Sequence, residues 1–214
     1  MRMQLSRWRD WVCGIALSVA TTSYAHTLYV TDAQGAPLAG VVVELVGDTT
    51  PAPAVNAIMD QVNQQFQPHV LVITAGQAVS FPNSDDIRHH VYSFSKTKPF
   101  ELRLYHGTPG APLTFPTAGV VVLGCNIHDS MVGYIYVAAS SATYVSNERG
   151  EISLPSLTDT QQLRLWHPQQ QIGAEEVWTT QWQQIKQQQP LRIATVAPAP
   201  RQSFADKFKG NHAH

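Results

Sequence analysis

Three side chains that bind transition metals lie within seven residues of the sequence. Cys125, His128 and Met131 follow the hydrophobic run 120–123, at the point where this run ends. A tight loop after a strand can turn a thiolate, an imidazole and a thioether toward one point, and these donors suit a trigonal copper site with a weak axial sulfur. The segment therefore predicts three ligands of one copper ion, and a fourth must come from elsewhere in the chain.

The segment 81–92 contains the two candidates for the fourth ligand. It reads as the end of a strand, a polar turn and a second strand that starts at His89 and His90. Neighbouring side chains of a strand point to opposite faces, so the two imidazoles cannot easily reach the same ion. From the residues alone, either histidine could complete the site.

These two segments resemble the ligand segments of the cupredoxins, the small blue copper proteins. The step His89-His90-Val91 matches the His-x-Val step that carries the first histidine ligand of that family, and 36 positions separate His89 from Cys125, as in its small members. The short loop between cysteine and methionine is most similar to that of amicyanin. The chain also resembles proteins labelled methylamine utilisation or plastocyanin-like. The resemblance covers residues 55–139.

The resemblance implies one type 1 copper ion that exchanges single electrons with other proteins. Its four ligands would be His89, Cys125, His128 and Met131. The electron would leave through the outer edge of the His128 ring, which an apolar patch would surround. The candidates for this patch are Ile127, Met131 and Val132. Two departures from the family pattern bear on loop rigidity and redox tuning, because His90 stands where an asparagine usually braces the ligand loops and Ile127 where a proline is usual.

The first 25 residues resemble a secretory leader. Three arginines precede an apolar run at 11–20, and residues 23–25 offer small side chains at the usual cleavage positions. We expect cleavage after Ala25 and a periplasmic protein. Cys13 would be removed with this leader, which leaves Cys125 as the single cysteine in a compartment where thiols normally form disulfides.

The rest of the chain has the composition of an all-β protein. Short runs of branched and aromatic residues alternate with turns that contain glycine and proline. The predicted strands include 27–30, 41–46, 70–73, 120–123 and 132–137. The glutamine-rich segment 174–189 could form one helix or two strand fragments. The predicted fold is a cupredoxin-like Greek-key β-sandwich that is inserted in, or packed with, a second small β-sandwich.

The two ends of the chain are expected to form that second sandwich. Residues 28–46, 147–152 and 163–168 resemble strands of the carboxypeptidase regulatory-like β-sandwich found in many secreted proteins. The predicted organisation is therefore discontinuous. It comprises a signal peptide (1–25), an outer sandwich (26–52 plus 140–197), a cupredoxin domain (53–139) and a flexible tail (198–214).

Charge and sequence together restrict the function. The net charge is −1 and no basic patch follows the leader, so nucleic acid is a poor partner, and no membrane span is expected after cleavage. We predict a monomeric electron carrier with an unidentified donor and acceptor, and not an enzyme. The alternative is a copper-binding sensing, storage or partner-docking protein. An oxidative enzyme built on an N-terminal His26 ranks third, because the spacing places no further histidine beside it.

The remaining histidines have weaker claims to a metal. His69, His106 and His167 each stand alone among strand and turn residues, so we expect surface positions or satisfied, partly buried roles for them. His212 and His214 near the C-terminus are interpreted as incidental.

Overall fold

The computed structural model describes residues 26–47 and 55–196, which form β-strands joined by turns and one short helix. Each of the five runs that the sequence predicts as strands overlaps a strand, and the predicted all-β class is confirmed. The predicted signal peptide, the tail from residue 198 and the boundary at residues 52 and 53 lie outside the described residues.

The middle of the chain forms two sheets and a small hairpin. Its strands are β3 (Ala57–Ile58), β4 (Asp60–Val62), β5 (Gln65–Gln67), β6 (Val70–Thr74), β7 (Ala78–Ser80), β8 (His89–Ser93), β9 (Phe100–Tyr105), β10 (Leu113–Thr114), β11 (Gly119–Cys125) and β12 (His128–Ala138). One sheet has the order β10-β7-β3 and the other the order β6-β12-β11-β8-β9, while β4 and β5 pair with each other.

The two larger sheets pack over a shared hydrophobic core, which makes this part of the chain a β-sandwich. Buried and more exposed residues alternate along β8, so one face of that strand points into the core. The buried members include Met59, Phe81, Phe115, Leu123, Met131 and Ile135. Cys125 belongs to the same cluster. The thiol that the sequence predicts as a ligand therefore lies inside the sandwich.

The remaining strands come from both ends of the described chain. They are β1 (His26–Thr31), β2 (Val42–Leu45), β13 (Thr143–Val145), β14 (Glu151–Leu154), β15 (Gln162–Trp166), β16 (Trp178–Gln181) and β17 (Leu191–Arg192). Their sheets have the orders β14-β1-β17 and β13-β2-β15-β16, and they share a hydrophobic core of their own. The pairing of His26 with Leu154 joins the two ends. The domain boundaries and the regulatory-like resemblance stay predictions.

A third cluster of buried side chains connects these outer strands to the sandwich. Val42 and Trp166 come from the outer strands. Val120, Tyr136 and Ala138 come from the sandwich. Val120 lies near the start of β11, whereas the predicted thiolate ligand is the last residue of that strand, roughly 17 Å further along at the usual strand rise. The outer strands therefore pack against the end of β11 that is opposite to the predicted metal ligands.

The segment 174–189 combines the two structures that the sequence leaves open. The aromatic and branched residues 177–180 favour a strand, and β16 indeed pairs with β15. One helical turn, α1 (Trp182–Ile185), follows directly and buries Trp182 and Ile185 on the same side. No helix within the described ranges is long and apolar enough to cross a bilayer.

Candidate metal centre

The strands β11 and β12 bring Cys125 and His128 together at the turn that joins them. Gly124 pairs with Val132, but the next residue, Cys125, pairs with His128, so the register of the two strands shifts at this point. An irregularity of this kind bends a strand and redirects its side chains. The Cys125 thiol is buried in the core, and the His128 ring lies beside it.

Strand β8 supplies the second imidazole. His89 is fully buried, and its Nδ1 lies 3.7 Å from Sγ of Cys125. His90 points to the other face of the strand, where its Nε2 lies 3.0 Å from Oε1 of Glu101 on β9. The alternation of strand side chains thus places His89, and not His90, on the face of the site. His90 ties β8 to β9 instead of bracing the two ligand segments against each other.

The donor atoms of His89, Cys125 and His128 converge on one point. Sγ of Cys125 lies 3.7 Å from Nδ1 of His89 and 3.8 Å from Nδ1 of His128. All three donor atoms lie within 4.8 Å of one another. The two imidazole rings have centroids 5.1 Å apart and are inclined by 52°. In the described ranges 26–47 and 55–196, no other group of three such side chains is arranged to hold a metal ion.

These separations fit three ligands around one ion. With the bond lengths of zinc sites, about 2.3 Å to sulfur and about 2.05 Å to nitrogen, an angle of 120° at the ion separates the two donors by about 3.8 Å, and a tetrahedral angle by about 3.6 Å. One thiolate and two imidazoles are the donors of a trigonal copper site.

Met131 lies in the same core cluster as Cys125 and is 1% exposed. A thioether is an uncharged, polarizable donor that suits a weak axial bond to copper. The ligand role of Met131 stays a prediction. The sequence analysis named Met131 as a candidate for an apolar surface patch around His128. That prediction is wrong, because Met131 is buried. Ile127 is 49% exposed, and Val132 is partly exposed.

Asp85 is a residue of the site that the sequence interpretation missed. Its Oδ2 lies 2.7 Å from Nε2 of His89, the ring nitrogen that faces away from the sulfur. A carboxylate there accepts the Nε2 proton and leaves the Nδ1 lone pair directed toward Cys125. Burial raises the pKa of Asp85, but hydrogen bonds from Gln64, His89 and Asn63 outweigh this effect and lower it. The carboxylate is therefore charged at neutral pH.

The loop that contains Asp85 is held on both sides. The backbone N–H groups of Asn63 and Gln64, which form the turn between β4 and β5, donate to the Asp85 carboxylate at 2.6 and 2.9 Å. The buried Asn83 donates from Nδ2 to the backbone oxygens of Ile87 and Tyr105 at 2.8 and 3.0 Å. The sequence signal for this arrangement is an aspartate four residues before a metal-binding histidine. The adjacent Asp86 makes that signal ambiguous.

His128 is the most accessible of the three donors. Its side chain is partly exposed and follows the exposed Ile127, whereas His89 and Cys125 are 0% and 3% exposed. Burial, and then the neighbouring His89, lower the pKa of His128. The ring is therefore neutral near pH 7, which is the form that binds metals.

The other histidines have other partners. The His26 ring packs against Trp182 with centroids 5.2 Å apart. Nε2 of His106 lies 2.9 Å from a backbone oxygen, and Nε2 of the buried His167 lies 3.2 Å from another. The satisfied roles expected for His106 and His167 agree with these contacts. The two tail histidines lie outside the described residues.

No protein-family model matches the sequence, and no curated protein is similar to it. Several solved structures are similar to part of the chain. A copper-containing nitrite reductase from Thermus scotoductus SA-01 is 28% identical with a TM-score of 0.37, over 44% of this chain and 24% of the reductase. The chain thus spans about a quarter of the length of that reductase.

Two similar structures are small enough to be covered almost completely. A purple cupredoxin from Nitrosopumilus maritimus is 22% identical with a TM-score of 0.34, over 39% of this chain and 99% of the cupredoxin. A reduced amicyanin variant is 18% identical with a TM-score of 0.35, over 45% of this chain and 98% of amicyanin. Because these TM-scores are low, the functional conclusion depends on the geometry of the site itself.

Proposed function

We propose that this protein is an exported type 1 copper protein that carries single electrons between redox partners in the periplasm. The observation that supports this most directly is the approach of two imidazole nitrogens to Sγ of Cys125, at 3.7 and 3.8 Å. His89, Cys125 and His128 would hold the ion, and Met131 would be its weaker fourth ligand.

The contribution of the chain is to hold the ligands in place before the metal arrives. When bound, copper would supply the couple between Cu(II) and Cu(I), which exchanges one electron. Cys125 and His128 are fixed by the pairing of β11 with β12, and His89 is fixed by the pairing of β8 with β9. Asp85 holds the His89 ring in one tautomer. Ligands that move little on a change of oxidation state allow fast electron exchange.

Electrons would enter and leave beside His128. His89 and Cys125 are buried, so His128 is the donor through which a partner can approach the ion most closely. Ile127 is half exposed beside it and offers an apolar contact. Small interfaces of this kind bind weakly and release quickly. We therefore infer that protein redox partners dock on this surface.

Burial of the donors also favours a carrier over an enzyme. Cys125 and Met131 are 3% and 1% exposed, so a substrate has little access to the ion from their side. A storage or sensing protein could use the same ligands, and it would differ in binding Cu(I) tightly without a reversible couple.

The test is a spectroscopic and electrochemical study of the copper-loaded protein without its leader. We expect an intense visible band from the thiolate bound to Cu(II), an electron paramagnetic resonance spectrum of the type 1 kind and a reversible one-electron couple. Cys125→Ser should lose the band, because an alcohol does not replace a thiolate ligand. His167→Gln is the matched control, since it removes a buried imidazole whose two ring nitrogens hydrogen-bond to backbone atoms, and its spectrum should be unchanged.

Each other outcome has a defined meaning. Tight Cu(I) binding without a reversible couple would support storage or sensing in place of electron transfer. A protein that takes up no copper, or that stays colourless when oxidised with Cys125 intact, would rule out both functions.

A further inference from the structure

The outer strands enclose a half-open cavity that the proposed electron transfer does not use. Its volume is about 230 Å³. Its lining includes the buried Leu165, Trp166 and Ile193 and the exposed Ile172, Trp178 and Arg192. The floor is thus apolar, and the mouth combines an aromatic ring, an aliphatic side chain and one positive charge.

The wall of the cavity is held by hydrogen bonds within the protein. Nε1 of Trp166 donates to the backbone oxygen of Ala174 at 2.8 Å. Nε2 of the buried Gln170 donates to the backbone oxygens of Gly173 and Glu176. These polar groups are occupied by the chain itself. The cavity therefore presents mostly apolar atoms to a ligand and exists before any ligand binds.

Arg192 gives the cavity its charge preference. Within the described residues its guanidinium has no ion pair, whereas Arg149 and Arg164 each lie close to a carboxylate. A guanidinium offers parallel N–H donors that match the two oxygens of a carboxylate. An anionic group at the mouth of the cavity would form an ion pair with Arg192, and a cationic group would be repelled.

We propose that this cavity binds a small aromatic carboxylic acid. A dry cavity of about 150 Å³ is known to accept benzene, so the larger cavity here has room for one ring with a short acid arm. The ring would lie against Trp178 and Ile172, and the carboxylate would reach Arg192. An aromatic ring gains more from stacking on an exposed tryptophan than an aliphatic chain of the same size does.

Occupancy of the cavity can be observed through its own tryptophans. Trp166 lies at the floor and also packs against Tyr134 and Tyr136 of the sandwich, with ring centroids 5.7 Å apart in each pair. A bound ligand will change the environment of the Trp166 and Trp178 indoles. Their N–H resonances and fluorescence are direct readouts that do not require copper.

The experiment compares three probes with the folded protein. Phenylacetate carries the ring and the anion, phenethylamine the same ring with a cation, and acetate the anion alone. We expect phenylacetate to shift the two indole resonances with a dissociation constant of roughly 1 mM or below, and phenethylamine to bind at least about fivefold more weakly. Acetate should cause no saturable shift.

Two variants test the assigned contacts. Arg192→Gln should remove the preference for the acid over the amine, and Trp178→Ala should weaken phenylacetate roughly tenfold. Arg103→Gln, an exposed arginine on β9, is the matched control and should bind phenylacetate like the unaltered protein. Circular dichroism checks that each variant is folded.

Several results would overturn the proposal. They are equal binding of the acid and the amine, binding that survives Arg192→Gln with its preference intact, saturable binding of acetate alone, or no binding of phenylacetate at 10 mM, roughly ten times the expected constant. Self-association that covers the indoles of Trp166 and Trp178 would also overturn it, and would identify this face as a contact between copies of the chain.

Discussion

Two buried polar clusters in this protein differ in how their atoms are satisfied. Glu44, which is 1% exposed, lies where the outer strands meet the sandwich. Its carboxylate accepts hydrogen bonds from the hydroxyl of Tyr136 at 2.8 Å and from the N–H groups of Ala139 and Ser140 at 2.9 Å each. At Cys125 the sulfur instead faces two imidazole nitrogens at 3.7 and 3.8 Å.

The difference separates a hydrogen-bonded structural cluster from a candidate metal centre. At Glu44 each acceptor oxygen has a donor, and burial, followed by the neighbouring carboxylate, raises the pKa of Tyr136 so that its hydroxyl keeps its proton. At Cys125 the sulfur faces one nitrogen of each imidazole, and a thiol is only a weak hydrogen-bond donor and a weak acceptor. Strong hydrogen bonds complete the first cluster, whereas the second has the donor types and the spacing that suit a metal ion.

Copper binding should therefore have the largest effect on stability, and it should act through the Cys125 cluster and not through the Glu44 cluster. Free copper at about a thousand times its dissociation constant should add about 4 kcal/mol to the free energy of unfolding. Cys125→Ser should lose nearly all of this gain, while its metal-free form should stay within about 1 kcal/mol of the unaltered metal-free protein. Urea unfolding with and without copper measures both quantities. Equal copper stabilisation in the variant would contradict the assignment.

Loss of Glu44 should lower the stability of the protein without affecting the copper site. Glu44→Ala leaves buried N–H and hydroxyl donors without an acceptor, so we expect the free energy of unfolding to fall by roughly 3 kcal/mol with or without copper. The copper spectrum of the folded fraction should not change, since Glu44 lies at the other end of the sandwich. A variant as stable as the unaltered protein would show that the Glu44 cluster is not needed for stability.

Asp85→Asn should raise the reduction potential of the copper protein. The variant keeps one oxygen that can accept the Nε2 proton of His89, but it loses one of the two oxygens that accept from Asn63 and Gln64 and removes a negative charge that favours Cu(II). We expect the reduction potential to rise by roughly 60 mV, which is about a tenfold change in the one-electron equilibrium. Voltammetry of the copper protein measures this shift. Asp86→Asn is the control for a change of charge in the same loop, and an equal shift there would refute a specific role of Asp85.

His167 should produce the smallest effect, one that depends on pH. Burial lowers the pKa of His167 from its usual value of 6.5, although a hydrogen bond to the backbone of Ala39 opposes the shift. Between the folded pKa and pH 6.5 the unfolded chain binds more protons at His167 than the folded protein does. The contribution of His167 to stability is therefore complete above pH 6.5 and is lost as the pH drops through the folded pKa.

The measurement is urea unfolding of the metal-free protein between pH 7.5 and 5, where His128 and other groups also contribute. His167→Gln should lose less stability over this interval than the unaltered protein does. Identical pH profiles would show that His167 is not a source of the dependence.

Much of the fold could be predicted because strand propensity is local. Runs such as 70–73 and 132–137 carry branched and aromatic residues between turn residues, and they are strands. The segment 174–189 was ambiguous, since pairing with β15 decides where its strand ends and its helical turn begins. The cavity next to Arg192 could not be predicted from the sequence, because its lining residues come from the separate segments 165–172, 178 and 192–194.

The sequence by itself determined the candidate donors, because the types and spacing of Cys125, His128 and Met131 are written in one short segment. The tertiary structure decided the rest. Strand pairing selected His89 over His90, and it brought Asp85 to the back of the selected ring. The physical reason is that a side chain's direction and its distant neighbours depend on register and packing, which connect residues far apart in the chain.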